Sequence, residues 1–207
     1  MLEQQQTGKR SIALPITLIL LVFSLIGNVF LYSLYLQHKQ GEKFDDGQQI
    51  YGAALDSLQY FEELIPQLDA LIQSQGVEER LHAKFLAGKS MQKGLSFEVL
   101  AEKALELNGQ LDKPVEDQTD HFLENVEAAL QTIGSYAGPL TAADQTYLLT
   151  LKQSLEAMHA TLSTINLNIE DNRNALIRLA SGIGWVEKVE KVELLMKNHS
   201  AELTKTP

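Results

Sequence analysis

Apolar residues fall along this chain in two different ways. From Ile12 to Leu36 they run almost unbroken, 25 residues without a charge. From Gly41 onward they recur at alternating three- and four-residue steps, as in Tyr51, Ala54, Leu58, Phe61, Ile65, Leu68 and Ile72. Phe122, Val126, Ala129, Ile133 and Tyr136 follow similar helical steps. The longest series is Leu148, Leu151, Leu155, Met158, Leu162, Ile165, Ile169, Asn172, Leu176, Leu179 and Ile183. Such spacing marks one face of a helix, and when sustained it drives left-handed knobs-into-holes packing. No strand-like alternation of comparable length occurs, so the pattern predicts an all-α chain.

The unbroken run reads as a membrane span. A helix of that length measures about 37 Å, against a hydrocarbon core of about 30 Å. A cleaved signal peptide would have a shorter apolar region ending in small residues. Here the run ends in Phe30, Leu31, Tyr32, Ser33, Leu34, Tyr35 and Leu36, bulky at nearly every position. The expectation is an uncleaved signal-anchor helix over residues 11–40 behind a short tail, 1–10. Its marker residues are Ile12, Leu20, Phe23, Asn28 and Phe30, with Tyr32 and Tyr35 suited to the membrane–water interface. Gly27 and Asn28 admit two readings, close approach of a second helix or a polar group satisfied locally.

The rest breaks where helices stop. Ser74-Gln75-Gly76 and Asn108-Gly109 supply C-terminal glycines, and Gly138-Pro139 ends another helix. Thr141 with Asp144 makes a capping-box variant. Pro66 should kink its helix. The helices are expected near 46–73, 77–93, 96–108, 115–136, 141–181 and 185–198. Short turns between them imply an elongated antiparallel helical bundle with heptad seams over 41–184. A terminal amphipathic helix and tail would follow over 185–207. Asn172 at a seam position is either the kind of residue that fixes register in an oligomer or a mark of where the helix outgrows its partners. Trp185, the sole tryptophan, follows two glycines, and with Val189 it could either close the bundle end or dock a partner.

Charge narrows the setting. Setting aside Glu3, Lys9 and Arg10 from totals of 27 acids and 17 bases leaves 26 against 15. So acidic a domain does not suit nucleic acid or anionic lipid, both of which need Lys/Arg clusters. Lys9 and Arg10 lie before the span and Lys39 and Lys43 after it, a near tie under the positive-inside rule. The short tail and acidic domain favour a cytoplasmic N-terminus, with the domain outside the cytoplasmic membrane. The absence of cysteine fits that compartment.

Chemistry is sparse. E-x-x-H occurs twice, as Glu79–His82 and Glu156–His159, the motif of di-iron bundles, with Glu62 or Glu63 and Glu124 or Glu127 as completing carboxylates. Ligands there must point inward, whereas Leu155, Met158 and Leu162 hold the inward positions and leave Glu156 and His159 on the flank. No metal site, no cofactor and no catalytic residue is expected. No G-x-S-x-G, P-loop or H-E-x-x-H is present. His38, His121 and His199 read as isolated surface or boundary residues.

An anchor followed by a helical bundle is similar in layout to the extracytoplasmic part of four-helix-bundle sensory receptors. Those return through a second membrane helix, which this sequence does not contain. Three segments resemble the N-terminal helical region of YpeB-type sporulation proteins: Gln48-Gln49-Ile50-Tyr51 after the anchor, Pro139-Leu140-Thr141 through Leu151, and Trp185-Val186-Glu187-Lys188-Val189-Glu190. Members of that family continue into PepSY-type repeats, and this sequence stops where those would begin. The resemblance implies a spore-envelope protein that stabilises or localises a cortex-lytic enzyme. The reading as a whole is a non-enzymatic, membrane-anchored scaffold or adaptor acting through protein contacts, with an unidentified protein partner and a homo-oligomer admitted. The alternative is a sensory or ligand-binding helical bundle.

Overall fold

The computed structural model describes residues 13–109 and 118–203. Among them are seven helices and no strand: α1 (Ala13–Gln73), α2 (Val77–Gly94), α3 (Ser96–Leu107), α4 (Gln118–Thr132), α5 (Ala142–Leu162), α6 (Arg173–Leu179) and α7 (Val186–Leu203). The chain divides into two compact units, Met1–Glu42 and Lys43–Pro207.

The expected helices over 11–40 and 46–73 are one continuous helix, α1, of 61 residues. Gly41 and Gly47 lie within it, each lowering helix propensity by only about 1 kcal/mol relative to alanine. Pro66 also sits inside it, exposed, with helix on either side. In the second unit α1 buries Ile50, Ala54, Ser57, Phe61, Leu64, Leu68 and Leu71. This line is rotated from the expected one, and Tyr51, Leu58, Ile65 and Ile72 flank it, half-buried. Because α1 carries apolar residues on a broad stripe, the period alone does not fix the centre of the buried face.

The longest expected helix, over 141–181, is cut short. Thr141 caps α5 by accepting a hydrogen bond from the Asp144 N–H, and Leu148, Leu151, Leu155, Met158 and Leu162 are buried. The helix then ends at Leu162, about 30 Å from its start. Beyond it, Asn166 takes the N–H of Asn168 and Asn172 takes the N–H of Ala175, local bonds that compete with helix continuation. Lys188 Nζ reaches the Thr164 carbonyl at 2.6 Å, a basic group at a helix C-terminus where it is favoured. Asn172 is thus the exposed N-cap of α6, not a seam residue, and its expected register role falls away with the helix.

Two turns also differ from expectation. Gly109 has the left-handed φ of +65° expected after α3, but Gly76 is extended (φ −136°) and serves as N-cap of α2. The helix expected to reach residue 136 ends at Thr132, where Gly134 turns left-handed at φ +63°.

Helix α7 packs on α5, α4 and α3, and α2 packs on α4 and α3. Along α1, Lys103 meets Asp46, Ser96 meets Asp56, Lys93 meets Glu63 and Lys152 meets Asp69. These pairs are exposed or only part-buried and contribute little each. Gly47 lets the backbone of α6 approach closely: a Cβ there would stand 2.1 Å from the Leu176 carbonyl oxygen. Beside it the Arg173 guanidinium lies 4.3 Å from the centre of the Phe44 ring.

Candidate membrane anchor and interaction surfaces

One helix among the described residues is long and apolar enough to cross a membrane, α1, and none of its most apolar window is buried. Leu20, Phe23, Phe30, Tyr32 and Tyr35 are 53 to 67 % exposed, and Asn28 is exposed as well. Ile12 lies outside the described residues. In water such a surface would be a large uncompensated apolar patch. At the end of the run the Lys39 ammonium sits 5.3 Å from the centre of the Tyr35 ring, an arrangement suited to an interface that is apolar on one side and wet on the other.

The two apolar partner-contact candidates are interior. Trp185 is 1 % exposed and its indole N–H donates to the Leu179 carbonyl at 2.8 Å. Val189 is fully buried, in line with Val186, Val192 and Met196. Left-handed Gly182 and Gly184 (φ +78° and +85°) reverse the chain so that the indole folds back over the end of α6. Both side chains are therefore spent on the chain's own core, and docking through them is corrected to core closure. Asn172 remains exposed but is engaged as a cap.

His199, expected at the surface or at a boundary, is 2 % exposed. Its ring stands edge-on to Phe122 and Tyr147, and its Nδ1 lies 3.0 Å from Ser154 Oγ. Nearby, burial pushes the Tyr147 phenol up to about 12 and raises Tyr60 further still. Neither hydroxyl has a hydrogen-bond partner among the described residues. Glu79 and His82 are both exposed, and Glu79 accepts the Gln75 N–H instead of facing a site. His159 lies 3.6 Å from Glu62 at the rim. No three His, Cys, Asp or Glu side chains converge on a metal-sized site among the described residues.

Two features lay outside the sequence reading. Arg80 is 1 % exposed and donates to Ser74 Oγ and to the carbonyls of Gly134, Tyr136 and Gly138. It thereby clamps the turn after α4 to the start of α2. On the outer side of α2, Val77, Leu81 and Phe85 form an exposed i, i+4, i+8 stripe, with Phe85 66 % exposed. Leu81, Phe85 and Met91 border a groove of about 350 Å³ against Leu130 of α4. Lys84 lies in this groove, its pKa lowered by burial and by the Arg80 charge, and Lys89 stands 5.7 Å from the Phe85 ring. A second groove, of about 480 Å³, runs between α5 and α7, lined by Ala157, Ala160, Lys188 and Lys191 among others. No protein-family model, curated protein or solved structure matches the chain.

Proposed function

We propose that this chain is a membrane-anchored, non-enzymatic helical scaffold that acts through protein–protein contacts outside the cytoplasm. The observation that carries the reading is α1 itself: one helix begins with a wholly exposed apolar run and continues into the core line of the second unit. In this reading the N-terminus is cytoplasmic, the anchor is uncleaved and single-pass, and Lys43–Pro207 works on the far side. The second unit is an antiparallel bundle with heptad-like seams. Support comes from α1 positions 46, 56 and 63 meeting 103, 96 and 93, and positions 62 and 69 meeting 159 and 152, opposite orders in each case.

With Trp185 and Val189 buried, the exposed apolar side chains of α2 become the partner surface. Leu81 and Phe85, beside Lys84 and Lys89 on an otherwise acidic chain, fit an apolar partner segment with an acidic edge. The resemblance to YpeB-type proteins makes a cell-wall or spore-cortex enzyme the partner class. The test is purification of the full chain from membranes in mild detergent, wild type beside Phe85→Asp. The reading expects a cell-envelope hydrolase to accompany the wild type and to be lost from the variant. Recovery of the chain alone, or of identical companions with both, contradicts it.

A further inference from the structure

Within the apolar run of α1 the polar residues are not scattered. At 100° per residue, Thr17, Ser24, Asn28 and Tyr35 fall within about 20° of one line along the helix. Leu21 and Leu31 border that line, and the opposite face carries Ile19, Val22, Ile26 and Phe30. Ser33, in the last turns of the run, is the single polar residue on the far side, and Tyr32 flanks the line. Thr17, Ser24 and Asn28 are all exposed.

Asn28 sits four residues beyond Ser24, the midpoint of Ile12–Leu36, hence about 6 Å from the centre of a hydrocarbon layer whose half-thickness is about 15 Å. It is too deep to reach water easily. A carboxamide brings two donors and an accepting oxygen, while the surrounding helix backbone has already paired its own N–H and C=O groups. A carbonyl one turn back can take one of the two donors, and a second helix at the same depth supplies partners for the rest of the carboxamide.

Resting on the membrane reading above, we propose that the span pairs in parallel with the span of a second copy of this chain, through the face marked by Thr17, Ser24 and Asn28. The chemistry selects a copy over an unrelated helix. Hydroxyl and carboxamide groups each donate and accept, so in a two-fold parallel pair every one of them meets its own equivalent at its own depth. Thr17 and Ser24, small residues on the line itself, let the backbones approach. The steps 17, 24, 28, 31 and 35 keep the seven-residue repeat of a left-handed pair, in which an asparagine at the seam fixes register.

The chain has no cysteine, so single cysteines can be placed on it without background. Full-length Ser24→Cys, Leu31→Cys, Ile19→Cys and Ile26→Cys are made, and native membranes are oxidised with copper phenanthroline. The expected result is homodimer from Ser24→Cys and Leu31→Cys and several-fold less from Ile19→Cys and Ile26→Cys. Adding Asn28→Leu to Ser24→Cys should weaken pairing by about three- to twenty-fold, the range for one interhelical hydrogen bond in a bilayer. Equal cross-linking at all four positions, a maximum on the Ile19–Ile26 side, adducts to a different protein only, or indifference to Asn28→Leu overturns the pairing. Alkaline carbonate extraction of the same membranes separates the two claims. Release of the chain overturns the anchoring and the pairing together, whereas retention without a facial pattern overturns the pairing alone.

Discussion

Replacing Gly47 by alanine tests how α6 is held. A Cβ at this position would lie 2.1 Å from the Leu176 carbonyl oxygen and 2.6 Å from its carbon. Ordinary carbon–oxygen contacts begin near 3.3 Å, so α6 must retreat by about 1 Å. The obstructing atoms are backbone, and the Leu176 oxygen also accepts the Ala180 N–H at the C-terminus of α6, so the segment cannot yield by a rotamer change. Overpacking of this kind costs about 1–3 kcal/mol, offset by about 1 kcal/mol of improved helix propensity. The net expectation is a loss of up to about 2 kcal/mol. Gly52, in the same helix, has open space around its Cβ position, so Gly52→Ala should gain about 0.5–1 kcal/mol. The two substitutions are chemically identical and opposite in sign. Urea unfolding of the full chain in detergent micelles measures both. Trp185 fluorescence is a local reporter, because the indole is bonded to Leu179 of α6. Equal effects of the two substitutions, or a stabilising Gly47→Ala, would refute the close approach of α6 to α1.

Three further outcomes follow from the packing. Arg80→Met removes the donors that gather the Gly134, Tyr136 and Gly138 carbonyls, and a loss of about 2–4 kcal/mol in the same unfolding assay is expected because a charged donor is removed and buried acceptors are left unpaired; Arg80→Lys, lacking the planar fork, should recover only part of it. Asn172→Ala removes the cap on the Ala175 N–H and should lower stability by about 0.5–2 kcal/mol, where a seam asparagine replaced by an apolar residue would instead have raised it. Tyr147 has its folded pKa raised from 10.0 to about 12 by burial, so its contribution is complete below pH 10 and is lost as pH rises through about 12. Alkaline titration followed by tyrosinate absorbance should show ionisation coinciding with unfolding in that window, and Tyr60→Phe should leave neutral-pH stability unchanged or higher, since the Tyr60 hydroxyl has no partner among the described residues to lose.

The helical class and the apolar span were legible because each rests on a long one-dimensional pattern. The α5 positions Leu148 to Leu162 were read correctly, since there the repeat and the buried face coincide. The same repeat misled beyond Leu162. Ile165, Leu176 and Leu179 are buried as the spacing suggested, yet the segment joining them is a turn region rich in asparagine, whose local hydrogen bonds outweigh periodicity. Arg80 and His199 were illegible for a related reason: burial of a lone polar residue depends on tertiary neighbours that meet its polar atoms, as the turn after α4 does for Arg80 and as Ser154 does for Nδ1 of His199. The exposed stripe of Val77, Leu81 and Phe85 looks in sequence like any other core face. Only the position of α4 and α3 against α2 shows that it is left uncovered.

The central claim is that the Ile12–Leu36 run holds the chain in a membrane with its helical unit outside. Single cysteines at Gln5, in the tail, and at exposed Gln153 of α5, labelled in intact cells with a membrane-impermeant maleimide, test it most directly. The account predicts that Gln153→Cys reacts in intact cells and that Gln5→Cys reacts only after lysis. Labelling of Gln5→Cys but not Gln153→Cys before lysis, or of neither until lysis, would contradict it.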